Sequence, residues 1–538
     1  MLEQPKIYVF TRAYNAERTI RRAVGSVLNQ SYKNITYVIR DNGSTDGTYS
    51  ICKEYQEKDK RIILVRNEKN NRFETEPDKA AHKLELDIRY GVAIGENDFF
   101  CLLDADDEYM PDFFERAVRF AQEEYLDIVV GGSLLIQEES GEIIGEHIPA
   151  SNFCVFGQGF VEYFPQYHWY MRQVWGKLFR KNTLLGEEAY LLNLFQRELG
   201  EQADLGLPYG SDTICSMYSF QRAKRVGFLS GCQHRYYIQK RSVSRTLPPN
   251  RVEADRILHK VAMDFLIEKG DRPICEKNRS FLAELYANSV RDTANLLHDS
   301  SLLPGDKLEK YYRIASEPIT RAIYREYSIE SAKQSRYELL LAVFWAGSEL
   351  GEKDDRYLRA AIQELSPRCG KAVTGKNLMM FLTDQELIQA LIQDNLEAML
   401  QSLFLRLENS MDTRIPVAIQ ALAMEDPLLC QISDADFLRK YAQIYMMVWR
   451  KENLAALDEM TGLLLEDQVT EGKETFLQLY ISLAALEDQA PAFIFGKLRL
   501  AWFLLEQGRK KECCAIADEL GELGVETEEL ISLRQKLR

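Results

Sequence analysis

Through roughly the first 250 residues, short apolar runs alternate with longer stretches in which apolar side chains recur at helical spacing. The runs KIYVF (6–10), ITYVI (35–39), RIILV (61–65), FFCLL (99–103) and DIVVG (127–131) are short and rich in β-branched or aromatic residues. Runs of that length bounded by polar residues predict buried strands. Between the first two lies AERTIRRAVGSVLNQ (16–30), with Ile20, Ala23, Val24, Val27 and Leu28 on one helical face and Asn15 placed as an N-cap. After FFCLL, Pro111 is placed for a first helical turn, and Phe113, Phe114, Ala117, Val118 and Ala121 form another apolar face. Strand and helix in alternation predict right-handed crossovers and a mostly parallel α/β sheet, with ligands beyond the carboxyl ends of its strands.

The pattern changes at TLPPN (246–250). Beyond it the strand signal fades and helical periodicity runs to the last residue. The reading is one α/β domain over 1–250, a helical domain over 251–400, and a second helical domain over 401–538. The final stretch, 498–537, breaks near Gly508 and Gly524, a spacing that suggests TPR-like helical hairpins without a clean period. An irregular solenoid or bundle fits equally. Such a region serves as a scaffold, a dimerisation module or an acceptor-binding surface, so association of copies through these helices is expected.

Composition narrows the function classes. With 67 Lys+Arg against 82 Asp+Glu the net charge is −15, which argues against a general nucleic-acid binder. The ten cysteines include no C-x-x-C pair, so reduced thiols are expected. MLEQPKIYVF lacks the basic start and long apolar core of a signal peptide, and the longest apolar run, 339–346, is too short to span a bilayer. The expected location is cytoplasmic.

Two strings carry chemistry. RDNGSTDGT (40–48) follows the second strand and places Asp41, Asn42, Ser44, Thr45 and Asp46 at its carboxyl end, with two glycines that allow a tight turn. Such a loop can hold a nucleoside; an ordinary turn and helix cap reads the same way. FFCLLDADDEYMP (99–111) ends a hydrophobic strand abruptly in Asp104, Ala105, Asp106 and Asp107. Carboxylates gathered there need neutralising, and hard oxygen ligands suit Mg²⁺ or Mn²⁺ shared with a substrate diphosphate.

These strings resemble the N-terminal half of a family 2 glycosyltransferase with a GT-A fold. The similarity continues through VWGKLFRKN (174–182), GSDTI (210–214) and RYYIQKRSVSRTL (235–247), in the family's order. The resemblance implies metal-dependent, inverting transfer of a sugar from a nucleotide-sugar to a glycan, lipid-linked or protein acceptor. It implies that Thr11, Tyr14, Asp41, Asn42, Asp104, Ala105, Arg241 and Ser242 line the nucleotide-sugar site. Asp104 and Asp106 would hold Mn²⁺ or Mg²⁺, and Asp212 would be the catalytic base. Trp175 and Lys177 would flank the acceptor cleft.

From the residues alone, the alternative for Asp212 is a helix N-cap after Tyr209-Gly210, with the base reading favoured. Asn42 stands where relatives commonly carry a second aspartate that reads uracil; an amide oxygen accepts the same bond without charge assistance, so UDP is favoured only modestly as the nucleotide. Lys83 or Arg89 stands in for the arginine that relatives place beside the diphosphate.

Aromatic residues crowd 163–175, making Tyr167, Trp169 and Tyr170 acceptor candidates, or else core packing. Eight basic residues and no acidic one fall between Gln221 and Arg251. This run is a solvated face, a diphosphate clamp closing through Arg241, Ser242 and Arg245, or an attachment to the anionic inner face of a membrane.

Two competing readings remain. A sugar nucleotidylyltransferase would want a glycine-rich loop after the first strand, and FTRAYNAERTI lacks it. A catalytically weak scaffold or interaction protein would use the helical half.

Overall fold

The computed structural model describes residues 4–68, 95–184, 193–194, 197–198, 209–239, 247–248, 250–351, 355–409, 412–422 and 427–538. The chain forms two compact units, residues 1–300 with 322–335 and residues 301–321 with 336–538.

The first unit is built on one mixed sheet. Its strands are β1 (Ile7–Ala13), β2 (Ile35–Asp41), β3 (Ile62–Arg66), β4 (Phe99–Leu102), β5 (Glu108–Tyr109), β6 (Ile128–Gln137), β7 (Ile143–His147), β8 (Phe153–Phe156), β9 (Lys177–Arg180) and β10 (Arg225–Ile238). The order is β3-β2-β1-β4-β9-β6-β10-β5, with β7 on β6 and β8 on β10. β3, β2, β1 and β4 run parallel, as do β6 and β10; β9 is inserted antiparallel between β4 and β6. All five apolar runs read as strands are strands, and the expected order of α/β unit followed by helices holds.

Alternation along the strands separates two cores. Ile7, Val9, Phe99, Cys101 and Val129 face one side, where they pack with the helices Ile20–Leu28 and Phe113–Glu123. Tyr8, Phe100, Ile128 and Val130 face the other, against the helices Ser211–Arg222 and Arg251–Glu268. Every side chain on the two expected helical faces is buried except Leu28, which is partly so. The helices Arg251–Glu268 and Glu276–Asp299 thus belong with the sheet, beyond the sequence break at 246–250.

Two local expectations are corrected. Asn15 does not cap the first helix; Thr19 stands at that position without a side-chain bond, while Asn15 takes a left-handed φ of 49°. Its backbone N–H donates to Ser44 Oγ at 3.0 Å and its Oδ1 accepts from Thr45 N at 2.9 Å, so it ties the end of β1 to the loop after β2. Asn tolerates that backbone because its short polar side chain bonds locally. Pro111 lies ahead of the helix Phe113–Glu123 and its Asp112 N-cap; its carbonyl accepts from Ser31 N at 2.8 Å.

The described part of the second unit is helical throughout. From Ala435 onward the helices Ala435–Trp449, Asn453–Leu465, Lys473–Leu486, Ala490–Glu506, Lys510–Glu522 and Glu528–Leu537 each pack on the next, and Ala490–Glu506 also meets Glu528–Leu537. Stacking of each helix mainly on the next in the chain is the packing of helical-hairpin arrays.

Gly496 marks a close approach between two of these helices. A Cβ there would lie 2.7 Å from Tyr480 Cδ1 and 2.8 Å from Ile481 Cγ1, with Tyr480 buried. Gly496→Val is therefore expected to destabilise this unit by ~1–3 kcal/mol through overpacking, read as a lower urea midpoint at unchanged slope. Among the described residues no helix is long and apolar enough to cross a membrane.

Candidate active site

The parallel strands end together, and the loops that leave them form a cleft. Beyond β2, Asp41 is fully buried; its Oδ1 accepts from Ser44 N at 3.3 Å and its Oδ2 lies 3.5 Å from Arg66 Nε. Gly43, Ser44, Thr45, Arg66, Asn67 and Glu68 line an open hollow of about 450 Å³ beside it. That volume falls within the range of small-ligand pockets. Asn42 is buried, and its Oδ1 accepts from Asn67 Nδ2 at 3.0 Å. The oxygen expected to read a base is thus already engaged once, with its second lone pair left over.

Thr11 is 1% exposed and spends its hydroxyl on Leu103 O (2.9 Å) and Tyr37 Oη (2.9 Å), so it stiffens the wall of the cleft instead of forming its surface. Tyr14 is exposed at the mouth, and Ala105 is partly buried against the first core.

The acidic loop after β4 is held from beneath. β5 pairs antiparallel with β10, placing Tyr109 opposite His234 and Glu108 opposite Arg235. Asp106 Oδ2 accepts from Gln239 Nε2 at 3.1 Å, and its carbonyl accepts from Arg22, whose guanidinium also grips Glu138 and lies 3.5 Å from the centre of the Tyr237 ring. Asp107 is fully buried, accepts from Tyr237 N at 2.9 Å, and faces His234 Nε2 at 3.3 Å. Sequence reading missed this support, because Arg22, Glu138, Gln239 and His234 acquire meaning only when β10 returns beside the loop.

Asp212 comes from a different element. Gly210, at φ 83°, caps the helix Ser211–Arg222, and no side chain caps it, so Asp212 in the first turn is free of the capping role. Its neighbours in charge are Arg12, at the end of β1, and Lys177, at the start of β9. Asp104 feels Asp107, Asp212 and Asp106 together.

Asp104 and Asp212 are both exposed at this end of the sheet, and loss of water to the surrounding protein is nonetheless the main influence on each carboxyl. Burial and mutual repulsion push Asp104 well above the usual carboxylate range. Burial raises Asp212, against the pull of Arg12 and Lys177. Lys177 is fully buried, its Nζ donating to Gln173 O, and burial lowers it to about 7 despite Asp212.

The acidic loop fits a divalent cation chemically. It offers hard oxygen donors, and among the described residues no side chain donates a hydrogen bond to the Asp104 carboxylate. No group of three or more His, Cys, Asp or Glu side chains forms a closed cage among the described residues. A cation held by Asp104 and Asp106 would therefore complete its shell from water and substrate phosphate, the habit of Mg²⁺ and Mn²⁺.

The remaining candidates separate. Trp175 stacks on His234 (4.5 Å) and Tyr236 (5.0 Å) beside Lys177. Trp169 is 42% exposed, bonds the His147 ring at 2.7 Å and lies under Arg172. Tyr167 is entirely buried, its hydroxyl on Phe160 O, and belongs to the core. The basic run is largely structural where described: Arg235 pairs with Glu108 at 3.0 Å, Arg225 with Glu124 at 3.5 Å, and Arg251 is buried. Arg241, Ser242 and Arg245, like Lys83 and Arg89, lie outside the described residues.

Residues 8–179 match the family model of glycosyl transferase family 2. The resemblance to family 2 glycosyltransferases read from the sequence is thus borne out over those residues. A Streptococcus pneumoniae glycosyltransferase, GlyA, is 26% identical over 307 residues, which cover 55% of this chain and 40% of GlyA. An uncharacterised glycosyltransferase of Haemophilus influenzae is 30% identical over 161 residues, 28% of this chain and 46% of that protein. The chain thus spans less than half the length of these two curated relatives. Among solved structures, Staphylococcus aureus TarS, residues 1–349, in complex with UDP-GlcNAc, is 15% identical with a TM-score of 0.32, covering 73% of this chain and 90% of that one.

Proposed function

We propose that the family 2 unit transfers a sugar from a nucleoside-diphosphate sugar to an acceptor hydroxyl with inversion at the anomeric carbon. The observation that carries this reading is the meeting of Asp104 and Asp212, from separate elements, in one cleft at the carboxyl ends of the parallel strands. The hollow beside Asp41 would take the nucleoside, with UDP favoured. Asp104 and Asp106 would face the diphosphate together with Mn²⁺ or Mg²⁺. When bound, such a cation neutralises the charge of the departing nucleoside diphosphate.

The chain's own residues supply the rest. Asp212 accepts the acceptor's proton as the hydroxyl oxygen bonds to C1 and the C1–O bond to phosphate breaks. Arg12 and Lys177 favour the ionised form of Asp212, against its burial. Trp175, stacked and partly exposed beside Lys177, offers an aromatic face to an acceptor sugar. Glycan and lipid-linked acceptors both fit this arrangement, and the helical unit, with its neighbour-stacked hairpins, fits a role in acceptor binding or self-association.

The test is the stereochemistry of the product. Proton NMR of the sugar released or transferred from an α-linked donor is expected to show the β-anomer first. The α-anomer as first product would refute the single-displacement reading.

A further inference from the structure

We propose that a buried polar cluster on the two helices after the sheet, Arg251, Asp255 and Thr293, is the device that positions Asp212 in the cleft. The inference rests on Asp212 being the base proposed above.

Asp212 makes no side-chain hydrogen bond among the described residues, so the backbone of residues 209–213 sets where its carboxylate stands. That backbone is fixed from two sides. On one, Thr213 Oγ1 donates to Arg172 O at 2.7 Å, linking the first helical turn to the segment that leads to Trp175 and Lys177. On the other, the Arg251 guanidinium lies 3.6 Å from the centre of the Tyr209 ring. Tyr209 immediately precedes Gly210, whose left-handed turn starts the helix. A Cβ on Gly210 would lie 2.7 Å from Leu258 Cδ1, on the same helix as Arg251. The chain can approach so closely only with glycine at that position.

The guanidinium is itself immobilised. Arg251 is 4% and Asp255 is 4% exposed. Arg251 Nε donates to Thr293 Oγ1 at 2.9 Å and lies 3.7 Å from Asp255 Oδ1. Asp255 accepts from Ser289 Oγ and Thr293 Oγ1, each at 2.5 Å. Burying an ion pair is weak evidence of stabilisation, since apolar residues of the same volume often do as well. Here the cluster achieves something apolar residues would not: it fixes one face of a planar cation against one ring, directly before the turn that carries Asp212. Arg251, Asp255, Thr293 and Tyr209 touch no reacting atom in this account; they are positioning residues.

The test uses Tyr209, which is only half-buried, so that its variants fold. Turnover is read as nucleoside diphosphate release by the full chain with Mn²⁺, across UDP-glucose, UDP-N-acetylglucosamine and GDP-mannose. Tyr209→Leu is expected to lower kcat by ~10–100-fold with the donor KM within about twofold, the signature of a misplaced reacting group. Tyr209→Phe keeps the ring face and should restore turnover. In an Asp212→Asn background, Tyr209→Leu should add nothing further.

Unchanged kcat in Tyr209→Leu, or an equal fall in the Asp212→Asn background, overturns the positioning proposal and leaves the base reading standing. Wild-type turnover in Asp212→Asn alone overturns the base reading, and the positioning proposal falls with it. Amide hydrogen exchange over residues 211–216 decides the matter where no donor in the panel turns over. Tyr209→Leu, but not Tyr209→Phe, should speed exchange there by about tenfold or more, and unchanged exchange overturns the proposal.

Discussion

Asp212→Asn is expected to lower turnover by ~10²–10⁴-fold while donor affinity stays within a few-fold, because the amide keeps the shape of the side chain and loses only its capacity to take a proton. The effect corresponds to about 3–5 kcal/mol of transition-state stabilisation. The pH profile supplies an independent signature. Asp212 must be ionised to act, and burial raises its pKa above the ordinary carboxylate value. Activity should therefore rise with pH along an acid limb displaced upward from ~3.9, the value for a free aspartate. Arg12 and Lys177 pull the other way, so Arg12→Gln should move that limb further up. Measuring nucleoside diphosphate release against pH in the wild type and both variants checks all three statements. A limb that survives in the residual activity of Asp212→Asn would assign it to another group.

The second large effect falls on donor binding. Asp106→Asn preserves a partner for Gln239 but removes a charge from the loop proposed to face the donor's phosphates. A donor at a hundred times its Kd stabilises the folded unit by about 2.7 kcal/mol. That is a rise of several degrees in melting temperature for a unit of this size, at roughly 2–4 °C per kcal/mol. Asp106→Asn is expected to abolish the cation-dependent part of the shift, with the melting temperature of the free protein changed little. A full shift in the variant would show that Asp106 is not needed to hold the donor with its cation.

Much of this organisation is legible in the amino-acid sequence, for identifiable reasons. The five strands announce themselves because a strand buried on both faces must be a short, continuous apolar run, and the two helical faces because apolar side chains must recur at helical spacing. The acidic loop is legible because Asp104, Asp106 and Asp107 break off a hydrophobic strand without transition.

Long-range pairing is what the sequence hides. Lys177–Arg180 is not among the runs that read as strands, and only its insertion between β4 and β6 makes Lys177 a buried neighbour of Asp212. The basic run after Gln221 resembles a charged surface, yet in space much of it is β10, with Arg235 and Arg225 committed to acidic partners. Arg12 lies in plain view beside Tyr14, but nothing local says that its charge is felt by Asp104 and Asp212. Thr11 misleads for a similar reason. Its position at the end of β1 points to the ligand, while its hydroxyl is spent on Leu103 O.

Whether the loops beyond β1, β2 and β4 hold a nucleotide-sugar is decided by a thermal-shift panel on the full chain. UDP-, GDP-, dTDP- and CMP-sugars would each be added with and without Mn²⁺. One nucleotide class, with UDP first, is expected to raise the melting temperature by several degrees in a cation-dependent way. No shift with any donor in either condition would contradict the nucleotide-sugar reading.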